Sequence, residues 1–506
     1  MNQPVFSGTP KTQWMNNLFI RKPLNVLMAE ADNENGLKRT LGKWGLVSLG
    51  IGAIIGAGLF VRTADAAANH AGPAVILSFV LAATGCALAG LCYSEFASMI
   101  PISGSAYTYT YTTMGEFLAW IIGWDLVLEY ALGAATVAIS WTEYLNKLLS
   151  SVFGIAIPFQ WCHSPFQTSI YGTRGIINIP AVFIILILTM VLIKGVRESS
   201  TVNAVIVILK LAIVVLFIAV GWKFMNPANH HPFVPAKTGD SFGDFGFGGI
   251  VAGAGIVFFA FIGFDAISTA AQETRNPKKD MPFGILVSLA ICTVLYILFA
   301  YVLTGVANYH EFRISGKEAS VTYAIDHHMP GHEWLSIFVT MAILFGFSSV
   351  ILVMLLGQSR VFYTMSRDGL VPKVFSDIHP KFRTPYKSNI LFFCFVSLFA
   401  AFIPEQVVGD MTSIGTLFAF ILVCLGVVIM RKRDPLTPRP FRTPLSPGLP
   451  IMGALVCGFM VFGLGWQNWA RLIGWMLIGF IIYFTYSYKH SKMRNLATPP
   501  PTGSGQ

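Results

Sequence analysis

The sequence predicts an all-α, polytopic membrane protein with twelve transmembrane helices, and three observations carry that reading. Hydrophobic residues make up 54% of the 506, and only 11% are charged, whereas soluble domains carry about 25% charged residues. A soluble core cannot absorb so much apolar surface, but lipid can. Apolar stretches long enough to cross a bilayer, roughly 20 residues at the helical rise, recur along the whole chain. Basic residues collect in alternate connecting segments, as the positive-inside bias of membrane proteins requires.

In chain order, the spans fall near 45–66, 75–99, 117–147, 176–194, 202–222, 248–272, 284–307, 334–357, 389–403, 412–430, 449–466 and 469–487. The ninth is short and the third runs long. Met1 to Lys43 has no apolar stretch with a small-residue cleavage site, so it reads as a cytoplasmic arm rather than a secretory signal. Within it, Trp14, Leu18, Phe19 and Ile20 beside Arg21 and Lys22 form either an amphipathic piece lying on the membrane surface or a solvated tail. The longer outside loops are near 148–175, 223–247 and 308–333. The longest inside loop, near 358–388, is basic and opens with Gly357-Gln358-Ser359-Arg360. The inside loop from Asp434 to Gly448 is Pro-rich and expected to be irregular, and the tail at Thr498-Pro499-Pro500-Pro501 to be disordered. The organisation is therefore an arm at 1–43, one membrane domain at 44–488 and a tail at 489–506.

With the N-terminus inside, 25 of the 34 lysines and arginines fall on inside segments. Eight fall on outside segments and their helix ends, among them Arg62 and Lys147, and one, Lys210, lies deep within a helix. This bias places both termini in the cytoplasm and accounts for the net charge of +10 without nucleic acid. The expected location is the plasma (inner) membrane. Of seven cysteines, only Cys162 falls in an outside loop, which excludes an extracellular disulfide framework within one chain. The loop histidines, such as His230-His231 and His327-His328, read as solvated side chains, and neither a metal nor a cofactor is expected. There is no G-x-x-x-x-G-K-[ST] loop for an ATP-driven pump, and no H-E-x-x-H or G-x-S-x-G motif for a membrane enzyme.

Two spans stand out by glycine. The first contains Gly50-Ile51-Gly52-Ala53-Ile54-Ile55-Gly56-Ala57-Gly58, and the sixth contains Gly253-Ala254-Gly255 and then Phe258-Phe259-Ala260-Phe261-Ile262-Gly263-Phe264-Asp265. They lie five helices apart, so the second copy is inverted in the membrane. Glycine-interrupted helices in matching positions of two inverted halves point to a transporter's midplane site. The plainer reading is small residues for close helix packing.

At these residues the chain resembles the amino acid–polyamine–organocation superfamily, and within it the cationic amino acid transporter family. Further marks are Leu37-Lys38-Arg39-Thr40-Leu41-Gly42, Tyr93-Ser94-Glu95-Phe96, Pro101-Ile102-Ser103-Gly104-Ser105-Ala106-Tyr107 and Gly123-Trp124-Asp125-Leu126-Val127-Leu128-Glu129-Tyr130. Later come Glu273-Thr274-Arg275-Asn276-Pro277, Ser366-Arg367-Asp368-Gly369-Leu370 and Pro440-Phe441-Arg442-Thr443-Pro444. The resemblance implies a LeuT-like fold: two inverted five-helix repeats, at about 44–222 and 248–430, with broken first and sixth helices, then two extra helices at 449–487. It implies secondary active transport of amino acids by alternating access. Proton-coupled uptake of cationic or neutral L-amino acids is the leading expectation; an obligate exchanger and a non-transporting nutrient sensor are the alternatives. The expected partners are the amino-acid substrate, protons and the lipid bilayer. The resemblance does not give an oligomeric state.

An amino acid carries a carboxylate and an ammonium, and a broken helix can bind both. Backbone N–H groups near Gly56, Ala57 and Gly58 suit the carboxylate, and carbonyls near Ala53, Ile54 and Ile55 suit the ammonium. The sixth helix offers carbonyls near Phe258 and Phe259, with Ala260, Ile262 and Gly263 completing its break. Many family members have Ser or Thr where this chain has Ala57, so backbone groups must do more here. Phe259 matches the family's aromatic gate, although a membrane Phe otherwise packs or faces lipid. Asp265, costly in an apolar helix, either binds a cationic side chain, belongs to the inner gate or is a satisfied helix end. Asp125 and Glu129, spaced i, i+4 on one helix face, either titrate or pair with a cation. Lys210 needs a partner or loses its proton. The resemblance puts it where sodium-coupled cousins bind sodium, which gives it a coupling role; the alternative is a lysine snorkelling inward. Ser348 and Ser349 either widen the side-chain pocket or pack helices.

Overall fold

Local chemistry fixes where the helices begin and end. Asn178 caps the fourth span, its side-chain oxygen accepting from Ala181 N at 3.1 Å, with Pro180 in the first turn. The same helix stops at Gly195, whose φ of +70° closes its last turn. In a computed structural model, residues 18–23, 41–100, 105–169, 171–195, 200–314 and 320–497 are described. Most of the expected arm, Leu37 to Thr40, Pro101 to Gly104, Arg197, Lys317 and the Pro-rich tail at Thr498 to Pro501 lie outside them.

The described residues form an all-α membrane bundle. We number its spans α1 (Lys43–Ile54, resuming beyond a break as Gly58–Arg62 and Thr63–Ala66), α2 (Val75–Met99) and α3 (Glu116–Val127, a wide π-helical turn Leu128–Leu132, then Gly133–Phe153). There follow α4 (Ile179–Lys194), α5 (Ser200–Gly221) and α6 (Gly246–Val257, then 3-10 turns Phe258–Phe261 and Asp265–Glu273). The rest are α7 (Pro277–Val306), α8 (Glu333–Arg367), α9 (Tyr386–Phe402), α10 (Glu405–Arg433), α11 (Gly448–Gly463) and α12 (Trp466–Ile482). Among the described residues, eight stretches are long and apolar enough to cross a membrane, with four shorter apolar helices besides. The inner half of α1, α2, α6 and α7 pack on one another; α3, α4, α8 and α9 form a second group; α5 and α10 touch both.

Two expectations need correction. The segment Gly357 to Arg360, expected to open an inner loop, is helical, because α8 continues to Arg367. A helical glycine costs about 1 kcal/mol, and packing overrides it: the Tyr130 ring lies within van der Waals reach of a Cβ at Gly357. Lys210 is also not the only base deep in a span. Arg62, expected at an outside helix end, is 0% exposed within the outer half of α1. The Pro-rich segment between α10 and α11 is irregular over most of its length, as expected.

Candidate functional site

The breaks of α1 and α6 meet in the middle of the bundle, and glycine makes the meeting possible. A Cβ on Gly58 would lie 2.2 Å from the Ala260 Cα, so only a bare Cα fits. Gly263 adopts a φ of +112° and presses its backbone on Ala53, whose carbonyl oxygen would be 2.9 Å from a Cβ there; this conformation is open to glycine. At the α1 break, no loop or cap hydrogen bond among the described residues uses the N–H of Gly56 or Ala57. These amides stand at the start of the outer half-helix, where the partial positive charge of the helix end attracts anions.

The expected site residues Ile54, Ile55, Gly56, Ala57, Gly58, Phe258, Phe259, Ala260, Ile262, Gly263, Asp265 and Ser349 are all buried. Lys210 reaches across from α5 to the break, its ammonium donating to Gly52 O at 2.8 Å and Ile55 O at 3.0 Å. Gly346 on α8 leaves room for its stem, since a Cβ there would meet Lys210 Cε at 2.8 Å. Tyr296 of α7 ties the two breaks together: its hydroxyl lies 3.0 Å from Ile54 O and 2.9 Å from Ala260 O. Its single proton is shared between them. Ile54 and Ile55, expected to offer carbonyls to an ammonium, thus already have partners, and each keeps a second lone pair. Phe258 packs its ring on Phe420 and Phe261 on Tyr296. Phe259, between them and 4% exposed, makes no ring contact among the described residues. Ser349 is buried with no hydrogen-bond partner among the described residues, whereas Ser348 turns back on its own helix, donating to Leu344 O at 2.9 Å. Beside them, Val350 faces Gly56.

Toward the expected inner face the acids divide into two places. Asp265 accepts from the Tyr130 hydroxyl and from Ser105 Oγ at 3.4 Å, and Glu129 is its neighbour. The wide turn of α3 carries both Glu129 and Tyr130, as such turns often do at functional positions. Asp125 looks elsewhere, toward α10, where a Cβ on Gly415 would lie 3.1 Å from its Oδ1. Neither oxygen of Asp125 or of Glu129 has a hydrogen-bond partner among the described residues.

Sequence reasoning missed three features. A tyrosine in an apolar helix carries no signature, so nothing marked Tyr296. The second is Tyr130 as the partner of Asp265. The third is an ion cluster near the expected outer face, where Arg62 pairs with Asp410, with Asp65 at 3.2 Å and with Glu405 at 3.7 Å. The visible signal was an arginine four residues past Gly58 and two acids opening the tenth span. Nearby, Phe60 O accepts from Tyr144 at 3.2 Å and Ser320 at 3.1 Å, and Lys147 pairs with Asp326 of the helix Ser320–His328 at 2.6 Å. Near the expected inner face, Lys22 and Tyr107 both reach Asp368 at 2.7 Å.

Comparison with known proteins agrees with this architecture. The amino acid permease family model matches residues 41–486. A branched-chain amino acid permease (BcaP) of Bacillus subtilis (strain 168) is 43% identical over 476 residues, covering 94% of this chain and 99% of that one. A methylthioribose transporter of the same organism is 41% identical over 477 residues, with the same coverage. A vacuolar cationic amino acid transporter 4 of Arabidopsis thaliana is 33% identical over 429 residues, 83% of this chain and 68% of that one. Two broken helices facing each other in an all-α bundle, and a family match over nearly every span, lead to one conclusion: the chain belongs to the amino acid permease family, as a multi-pass membrane transporter and not an enzyme.

Proposed function

We propose that the chain takes up L-amino acids across the plasma (inner) membrane by alternating access, driven by the proton gradient, with both termini cytoplasmic. The observation that carries this reading is Lys210 with its ammonium on two carbonyls of the α1 break. A fixed positive charge there repels a sodium ion and leaves the proton as the coupling cation. When Lys210 is protonated it joins α5 to α1; when the proton leaves toward the cytoplasm, that link weakens and the substrate is released. The substrate carboxylate meets the amides of Gly56, Ala57 and Gly58, and Phe259 closes over it. The repeats at 44–222 and 248–430 rock about this point.

Glu129 and Asp265, buried side by side, attract a single positive charge. That charge is a proton with a neutral substrate or the side-chain cation of a basic one, and the small Ser349 leaves space for either. Relatives named for branched-chain and for cationic amino acids fit these two cases, and the methylthioribose relative puts that thiosugar on the test panel.

The experiment is uptake of a labelled panel into liposomes, with and without an outside-acidic gradient and with and without internal substrate. Wild type is expected to concentrate amino acids under the gradient, and Lys210→Met to bind substrate without acceleration. A wild type that ignores the gradient, or a mutant that still follows it, removes the coupling role of Lys210. Flux that needs internal substrate makes the protein an exchanger, and binding without flux makes it a sensor.

A further inference from the structure

The chain from α12 to the short helix Lys492–Ala497 touches the transport core at three places. At the outer end, Asn468 donates to Asp410 at 3.3 Å, within the cluster around Arg62. In the middle, Trp124 of α3 and Trp475 of α12 stack with ring centroids 4.5 Å apart and planes 13° from parallel. Each indole also donates to the other's backbone carbonyl, Trp124 Nε1 to Trp475 O at 2.9 Å and Trp475 Nε1 to Trp124 O at 3.2 Å. One turn away, Trp120 Nε1 donates to Gly479 O at 3.1 Å, and a Cβ on Gly479 would strike the Trp124 ring at 2.4 Å. Beyond the end of α12, Tyr483 and, in the short helix Lys492–Ala497, Arg494 reach Glu116, the first residue of α3, at 3.2 and 2.7 Å, and Ser491 bonds it too.

A helix held only by apolar packing in lipid can slide and turn at little cost, because lipid tails replace the lost contacts. Reciprocal bonds from side chain to main chain remove both freedoms, since a slip in either direction breaks two bonds at once. The lock sits one residue before Asp125. Successive helical residues point about 100° apart, so holding Trp124 against α12 aims Asp125 at α10. Four residues further, the wide turn Leu128–Leu132 aims Glu129 at Asp265. A wide turn strains the regular bonding of a helix, so the aim of these acids depends on an outside reference.

We infer that α12 is that reference, and that Trp124 and Trp475 are positioning residues for the buried acids Asp125 and Glu129. The inference rests on the proton coupling proposed above. The test measures, in liposomes, exchange against internal substrate, accumulation under an outside-acidic gradient, and the pH profile of uptake. Trp475→Leu is expected to exchange at the wild-type rate. Its gradient-driven accumulation should drop about five- to tenfold, the scale of coupling lost along such networks, and its pH profile should flatten. Trp475→Phe, which keeps the stack and loses the donor, moves in the same direction by less. If Trp475→Leu does not fold, Trp475→Phe and Gly479→Ala carry the same measurements. Exchange and accumulation falling in proportion, or neither falling, overturns the inference. A wild type indifferent to the gradient overturns the coupling reading first, and this inference with it.

Discussion

At Gly58 the space available is less than one methyl group. A Cβ would lie 2.2 Å from Ala260 Cα and 2.5 Å from its N, and a backbone cannot yield as a flexible side chain can. Gly58→Ala should therefore push the α1 and α6 breaks apart. Overpacking of this kind costs about 1–3 kcal/mol, and each 1.4 kcal/mol is roughly a tenfold change in affinity. Substrate affinity in purified Gly58→Ala protein is expected to fall by about tenfold or more, measured by calorimetry; an unchanged affinity would take α1 out of the site. Phe259→Ala is expected to slow uptake and, because Phe259 is 4% exposed within the apolar core, to lower the melting temperature as well, as truncating a buried large side chain does. The glycines were legible because a membrane helix that breaks must declare it in residues without side chains. Lys210 was legible because a charge deep in a span is rare. Its carbonyl partners were not, and neither was Tyr296: a lysine or tyrosine says that it needs partners, not which backbone atoms a fold will bring to it.

Among the elements, α10 is gripped at both ends. Outside, Asp410 and Glu405 hold Arg62. Inside, Arg431 makes two bonds to Glu95 of α2, at 2.9 and 2.6 Å, and Glu95 also accepts from Thr443 N at 2.8 Å. Between these grips, Gly415 rests on Asp125 and Leu128 of α3. So α10 is tied to α1 and α2, and it meets α3 across a contact with no bond at Asp125. The outer grip can be tested by subtraction. Arg62→Met leaves three acids around a missing cation, and breaking a buried pair this way costs about 3–5 kcal/mol. Denaturation of Arg62→Met is expected to show that loss, and adding Asp410→Asn to recover part of it. A stable Arg62→Met, or a double variant worse than the single, would mean the cluster is too wet to matter. Apolar runs gave the existence and order of the spans, but not this arrangement. Hydropathy reports only that a segment prefers lipid, so it lost the inner extension of α8. Arg62 was misread for the same reason: an arginine near an expected boundary looks like a helix end until its acids are found on another span.

For the molecule as a whole, orientation rests on the charges that remain uncompensated. Near the expected outer face the most deeply buried base, Arg62, is neutralised by three acids and adds little to the bias. Near the expected inner face Lys22, Arg431 and Arg494 are paired, yet Arg275, Lys278, Lys279, Lys432, Arg433, Lys489 and Lys492 stay exposed. That surplus is what the negative interior and anionic lipid hold back during insertion. Cys162 is the thiol expected on the outer side, but it is only 3% exposed, so a failure to label it would say nothing about sidedness. Tyr171, at 89% exposure, is the better reporter. In a cysteine-free background, Tyr171→Cys is expected to react with a membrane-impermeant maleimide in intact cells, and Lys432→Cys only after permeabilisation. The reverse pattern would turn the molecule over. The proton proposed to couple through Lys210 would then enter from the cytoplasm, and the direction of uptake proposed for the carrier would have to be reversed with it.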